Sequence, residues 1–420
     1  MERIEVSRKL TGAGTPLVPA LSDVEALHRA LQKTGYSTET VWVYTRACVR
    51  FVEWSCRARR HPRYIDGSGI SQFMRTHLAR CHCVPPCPEA HSTHAALNHL
   101  RKVVENRLGC SEKDGCEVYP PHVNAELRTF QQYLEGVCGV AIATQTYRLR
   151  YVGEFLHDLF ANGEIAPSLI TSLRVYKYIC SRVQRCKAGT ASVIAGSIKS
   201  YLKYLVLQGK LSSSLLYSIP RIPNWRLSSC PAVLSDAEVR DLLAAFDQGK
   251  ASEKRDLAMA LCMLDLGLRA GEVAGLTVED LDPHAMTVLV RRTKSRRDRE
   301  LPLSAGCGKA ILAYLRKGRP ASAHPQLFLR HTVPVGTPMN TENVRGAMRR
   351  AYARAGFPET WTGTHLLRHT AATRIQSAGA SLKEIADVLG HQSIDTTMIY
   401  TKLDLRALQT VALPWPEAAI

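Results

Sequence analysis

Between Ser218 and Pro231 the chain reads SIPRIPNWRLSSCP. Its three prolines cannot continue a helix, because each lacks a backbone donor and restricts the residue before it. Residues 218–231 therefore read as an extended linker. Beyond it, Leu234-Ser-Asp-Ala-Glu238 starts a helix afresh, with Ser235 as N-cap and Glu238 three residues on completing a capping box. This break decides the fold class. The chain before it reads as helices throughout, and the chain after it mixes helices with a short antiparallel strand pair. The expectation is a mainly α protein, with all-helical N-terminal modules and a mostly helical C-terminal domain that carries a small antiparallel β-sheet.

A second break falls at Gly109–Pro121, GCSEKDGCEVYPP, which is polar and ends in a proline pair. The segments on either side of it look alike. Thr40, Arg46 and Phe51 recur at the same offsets as Thr144, Arg150 and Phe155, on helix-period stretches. A later helix carries Leu100-Arg101 in the first segment and Leu202-Lys203 in the second. The pattern reads as a tandem repeat of one small helical module. The divisions are residues 1–115 and 120–217 for the two modules, the linker at 218–231, a domain at 232–412 and a tail at 413–420.

The chain has 420 residues, 55 Lys and Arg against 37 Asp and Glu, and a net charge of +18. That charge divides as +7 over residues 1–110, +6 over 111–229 and +5 over 230–420. An excess spread this evenly suits domains that each touch a long polyanion. The longest apolar run, Leu257–Leu268, is broken by Asp265 and far short of a membrane span. The N-terminus is charged, without the apolar stretch of a secretory signal. Thirteen cysteines in no regular framework suit reduced thiols in the cytoplasm.

Cys81-His82-Cys83, Cys87 and His91 place soft and imidazole ligands close together. The spacing is not that of a zinc finger, and Pro85, Pro86 and Pro88 stiffen the segment. A loop with incidental cysteines is the reading taken, with zinc held by Cys81, Cys83, Cys87 and His91 as the alternative.

After the linker, Leu257, Leu261, Leu264 and Leu268 recur at helical spacing, Met286–Val290 reads as a strand and Glu300–Leu303 as its return. Further helices fall at Val344–Ala355, Thr364–Ala378 and Leu382–Leu389. Polar residues at four places could carry chemistry. Arg269 sits between a helix that ends at Gly267 and the next helix start, with Glu272 able to fix its guanidinium. The hairpin tip Arg291-Arg-Thr-Lys-Ser-Arg-Arg-Asp-Arg299 gathers six cations, which suits phosphate contacts and lets Lys294 reach a scissile phosphate. His365 and Arg368, three apart behind an N-cap at Thr364, share one face near a helix N-terminus and could hold one phosphate. His369 points off that face and reads as a packing or capping residue. Ser381 and Glu384 form another capping box, and Gly390 ends that helix just before His391. Tyr400 comes next, in SIDTTMIYTKLD.

In this order, Arg269, Lys294, His365-Leu-Leu-Arg368, Leu-Gly-His391 and Tyr400 resemble the tyrosine recombinase (phage integrase) family. LGLRAGEVAGL, HLLRHTAAT and LGHQSIDTTMIY match that family's boxes closely over roughly residues 230–410. Gly271 stands where the family more often has a small hydroxyl residue, and the extra N-terminal module is a departure. The resemblance implies a catalytic domain at 232–412, with Tyr400 as nucleophile and Arg269, Lys294, His365, Arg368 and His391 as catalytic residues. It also implies a core-binding domain at 120–217, whose Arg148, Arg150, Lys199 and Lys203 bind DNA together with Arg291, Arg292, Arg296 and Arg297 of the hairpin.

The implied activity is site-specific DNA recombination through a 3′-phosphotyrosine, by the integrase or transposase of a mobile element. Two arginines and imidazoles can stabilise the phosphoryl transition state, so no active-site metal or cofactor is expected. Lys294 would protonate the leaving 5′-oxygen, and His365 would assist proton transfer at the tyrosine. The expected partners are double-stranded DNA, further copies of the chain as a tetramer on DNA, and partner recombinases, with no membrane. The alternatives are a relaxing enzyme of type IB topoisomerase kind and a non-catalytic accessory DNA-binding protein.

Overall fold

The computed structural model describes residues 19–57, 65, 67–83, 86–107, 119–161, 163–186, 188–220, 222, 231–291, 298–361, 363–391 and 393–403. Most of the expected linker, the polar break at 108–118 and the segment 404–420 lie outside these residues. The chain divides into two units, residues 1–225 and 226–420.

The first unit contains two helical cores. One is built from α1 (Leu21–Lys33), α2 (Thr38–Arg57), α3 (Gly67–Thr76) and α4 (Ala90–Arg107). The other is built from α5 (Pro121–Gly136), α6 (Ile142–Phe160), α7 (Ser172–Val183) and α8 (Ala188–Leu207). The neighbours correspond. In each set the first helix packs on the second and fourth, the second on the fourth, and the third on the fourth. Phe51 and Phe155 are both fully buried, as are Leu100 and Leu202, so the repeated sequence positions serve the same packing task.

The second unit begins with α9 (Asp236–Ala244), where the Ser235 hydroxyl accepts from the Glu238 amide and the Glu238 carboxylate accepts from the Ser235 amide at 2.7 Å. The core is built around α10 (Ala251–Asp265), which packs against α12 (Ala305–Lys317), α13 (Thr341–Arg354) and α14 (His365–Ser377). Of the leucine stripe, Leu264 and Leu268 are buried in this core. Ala258, Met259, Cys262 and Met263 are fully buried, while Leu257 and Leu261 are only partly covered. A helix enclosed on several sides has no single apolar stripe, and small residues permit close approach.

Between α11 (Ala270–Gly275) and α12 lies an antiparallel sheet of β1 (Leu281–Asp282), β2 (Thr287–Val290) and β3 (Arg299–Pro302), in that order. Val288 faces Leu301 and Val290 faces Arg299. β2 starts one residue later than expected because Met286 has a positive φ of 53°, which no strand ladder accommodates. The fold is thus mainly α with a small antiparallel sheet, as the sequence implies. No helix among the described residues is long and apolar enough to cross a membrane.

The turn between α10 and α11 depends on Gly267, whose φ is +62°. A Cβ there would lie 2.4 Å from Leu389 Cδ2 at the end of α15 (Leu382–Leu389). Strained backbone and a clash act together, so Gly267→Ala should destabilise the C-terminal unit by more than about 1 kcal/mol. A urea unfolding midpoint equal to that of the parent protein would refute this.

Candidate active site

Arg269 lies just before α11, and the local fold fixes its guanidinium. Its Nη1 donates to Glu272 Oε1 at 2.9 Å, and the other Glu272 oxygen accepts from the Arg269 amide at 2.9 Å. Weaker contacts of 3.4 Å reach the carbonyls of Leu389 and Gly390. Arg368, one turn into α14, is buried and donates to the carbonyls of Gly267 at 2.5 Å and Leu389 at 2.6 Å. The two guanidiniums therefore share the Leu389 carbonyl, although 99 residues of sequence separate them.

Glu272 also takes a second arginine. Arg299 Nη2 on β3 donates to Glu272 Oε2 at 2.9 Å. Burial pushes the Glu272 carboxyl up, but hydrogen bonds from Arg299 and the Arg269 amide, with both cationic charges, outweigh it and hold the carboxyl below its usual range. Burial, and then repulsion from Arg269, lowers the Arg368 guanidinium to about 10, with Glu272 acting the other way. At neutral pH it remains charged.

His365 shares the α14 face of Arg368 and still reaches solvent. Partial desolvation, then the charges of Arg368, Arg345 and Arg269, lowers its pKa. A cavity of about 760 Å³ is lined by Arg269, Glu272, Arg291, Arg345, His365 and Arg368 among others. Arg291 is half exposed and donates from Nε to Asp280 at 2.5 Å. Thr364 precedes α14, but its side chain makes no capping bond. His391 comes directly after Gly390, which takes φ +63° at the end of α15, and its Nδ1 lies 2.7 Å from the Thr397 hydroxyl.

Tyr400 sits in a short 3-10 helix, Met398–Leu403, and is 1% exposed. Its hydroxyl lies 2.9 Å from Nδ1 of His369, not of His365. His369 therefore does more than pack or cap, and it is the histidine set at the tyrosine hydroxyl in this conformation. Adjacent helix positions differ by about 100°, so the residue after Arg368 turns from the cavity toward the turn that carries Tyr400. Burial raises the Tyr400 phenol, while Arg368 and Arg269 oppose that rise. Burial, then the neighbouring His365 and Arg368, pushes His369 down to about 4, so its ring is neutral and can accept from the phenol.

Lys294, Arg292, Arg296 and Arg297 lie outside the described residues. In the first unit, Arg150 on α6 and Lys199 and Lys203 on α8 are exposed, and Arg148 is half-buried. Sequence reading also missed Arg299 by grouping it with the hairpin tip. Its signal was its place opposite Val290, beyond the loop and within the ladder.

Residues 232–406 match the phage integrase family. A Sinorhizobium fredii protein named as an integrase/recombinase, y4rA, is 34% identical over 325 residues, covering 77% of this chain and 79% of the relative. The chain belongs to the phage integrase family. Its members, the tyrosine recombinases, are DNA strand-transferring enzymes, and this integrase-family chain is one of them. Its fold is shared with the XerH site-specific recombinase bound to palindromic difH substrate, at TM-score 0.56 and 18% identity over 83% of this chain and 94% of that one. The Tn1549 transposon integrase in complex with circular intermediate DNA gives 0.54 and 19% over 68% and 98%.

Burial, together with nearby positive charges, lowers His391 to about 4 as well, against about 6.5 for histidine in an unfolded chain. A depressed folded pKa means that the unfolded integrase binds more protons between these values. The stability contributed by neutral His369 and His391 is full above about pH 6.5 and is lost as pH falls through 4. The urea midpoint should therefore drop between pH 6.5 and 4.5, and His369→Gln should flatten that slope. An identical slope in the variant would show that His369 titrates alike in the folded and unfolded states.

Proposed function

We propose that Tyr400 of this site-specific recombinase attacks a DNA phosphodiester held by Arg269, Arg368, His365 and His391, and that the chain serves as the integrase or transposase of a mobile element. One observation carries the residue assignment. Two guanidiniums from distant segments converge on the Leu389 carbonyl and line one cavity with His365. A phosphodiester repels nucleophiles by its own charge, and fixed guanidiniums suit the charge that grows on its non-bridging oxygens.

In the proposed step, Tyr400 Oη bonds to phosphorus as the bond to the 5′-oxygen breaks. The phenolic proton passes to a base, and the leaving oxygen takes a proton from Lys294. His369 is the base placed at the hydroxyl in this conformation. Tyr400 is buried in this conformation, so attack requires its hydroxyl to turn toward the phosphate while His369 takes the proton. The 3′-phosphotyrosine conserves the bond energy, and a 5′-hydroxyl from a second duplex reverses the step without ATP.

Exchange between two duplexes needs four such cleavages, and each chain offers one Tyr400. A tetramer on paired sites meets that need, formed by copies of this chain or with partner recombinases. The integrase/recombinase name of the Sinorhizobium relative supports the mobile-element role. Residues 120–217, with Arg148, Arg150, Lys199 and Lys203, are the proposed core-binding domain.

Tyr400→Phe keeps the packing and removes the hydroxyl, so it should abolish the covalent DNA–protein product while DNA binding persists. A persisting adduct would defeat the assignment. Arg269→Lys and Arg368→Lys should each slow cleavage by about 100–1000-fold, with far smaller loss of binding, since lysine lacks the planar fork. Equal losses in both assays would make these residues DNA-positioning groups only.

The first helical module supplies a separate test. Deleting residues 1–115 should shorten the DNA footprint and flatten the log–log salt dependence by about 0.9 per lost phosphate contact. Cleavage of a suicide substrate should survive. An unchanged footprint and slope would assign the module to protein contacts instead.

A further inference from the structure

The connection from α3 to α4 differs from its counterpart between α7 and α8. Residues 184–187 suffice in the second module, whereas residues 77–89 intervene in the first. A long connection carries more conformational freedom in the unfolded chain, and ordering it needs compensating contacts. Its apolar content is small, and Val84 and Pro85 lie outside the described residues.

What this connection does contain is a convergence of metal-ligand atoms. A ring nitrogen of His77 and the Sγ atoms of Cys81, Cys83 and Cys87 all lie within 4.8 Å of one another. Nε2 of His77 is 3.5 Å from Cys83 Sγ and 3.7 Å from Cys87 Sγ. A tetrahedral zinc with bonds of about 2.3 Å to sulfur and about 2.0 Å to nitrogen separates neighbouring ligand atoms by roughly 3.5–3.8 Å. The observed separations are of that size. All four side chains are half-buried, as a closed structural site requires.

This ligand set differs by one residue from the zinc alternative that the sequence offers, and it competes with the reading of a loop with incidental cysteines. His91 falls in the first turn of α4, its side chain 85% exposed and 4.0 Å from Glu89. His77 replaces it because α3 ends at Thr76 and the next residue turns back toward the cysteines. The His77 ring stacks on Phe73 with centroids 5.0 Å apart, which fixes its plane. On the far side, the buried Thr93 hydroxyl of α4 donates to the Pro88 carbonyl at 2.9 Å, anchoring the loop just after Cys87. Both ends of the cluster are thus held by helices.

We propose that His77, Cys81, Cys83 and Cys87 bind one structural Zn²⁺ that fastens the end of α3 to the start of α4. Three thiolates and an imidazole leave no open position for a substrate water, so the site is architectural. Binding releases the thiol protons and adds the metal's binding free energy to the folding of the first module. Arg50 of α2 stands within electrostatic reach of Cys83 and Cys87, with the sign that offsets the net charge of −1 on such a centre.

The test uses the full chain, purified under reducing conditions from zinc-supplemented cells. Elemental analysis should find about one zinc per chain. Cobalt added to the chelator-treated protein should give tetrahedral ligand-field bands and thiolate-to-cobalt charge-transfer absorption. His77→Ala and Cys83→Ser should each weaken zinc binding by at least about tenfold, since loss of an outer-shell partner alone costs about 10–100-fold. His91→Ala should leave zinc binding unchanged. If His77→Ala or Cys83→Ser fails to fold, the cobalt spectrum of the parent protein decides. Absent zinc, a cobalt spectrum without thiolate bands, or zinc lost in His91→Ala and kept in His77→Ala would each overturn the proposal. So would a disulfide among Cys81, Cys83 and Cys87 under these conditions, detected by mass.

Discussion

The C-terminal unit is organised around a buried charge. Arg368 is 3% exposed, and its nearest acceptors are the main-chain carbonyls of Gly267 and Leu389. An isolated buried ion costs several kcal/mol after relaxation, so both acceptors must be placed well. Each carbonyl belongs to the end of a helix, and each of those ends turns through a left-handed glycine, Gly267 or Gly390. A Cβ at Gly390 would lie 2.7 Å from Arg299 Nη1, so this second glycine also makes room for the arginine of β3. The turns after α10 and α15, the register of α14 and the position of β3 therefore answer to one requirement: seating guanidiniums.

That arrangement carries an electrostatic imbalance. Arg269, Arg299 and Arg368 lie around one carboxylate, Glu272, which already serves two of them. Repulsion is visible in the lowered Arg368 and in the lowered pKa values of His365, His369 and His391, to which neighbouring positive charges contribute after desolvation. An anion with several oxygens in the cavity would relieve the repulsion and take up hydrogen bonds at once, which is why the donor set suits a phosphodiester.

Local sequence chemistry gave good access to parts of this structure. The capping residues at Ser235 and Ser381, the three-residue spacing of His365 and Arg368, and Gly390 before His391 each depend on a few neighbours, and the spacing alone determines the geometry. What escaped were relations across long separations. His369 meets Tyr400 only because a 3-10 turn brings residue 400 beside α14. Arg299 reads as one more cation of a hairpin until β-pairing sets it opposite Val290. His77 and His91 flank the cysteines almost symmetrically in sequence, and only the boundaries of α3 and α4 decide which faces them.

The seat of Tyr400 constrains how its proton can leave. Burial raises the phenol, and only Arg368 and Arg269 pull it back. A phosphate in the cavity would add negative charge beside those same arginines and weaken their pull. Ionisation of the tyrosine before attack is therefore disfavoured in both the free and the loaded site. In the proposed reaction the proton would move as the bond to phosphorus forms, to a neutral acceptor within hydrogen-bond distance. His369 meets that description because its burial among positive charges keeps it unprotonated. In the proposed reaction, the cations that would hold the phosphate also keep His369 able to accept a proton.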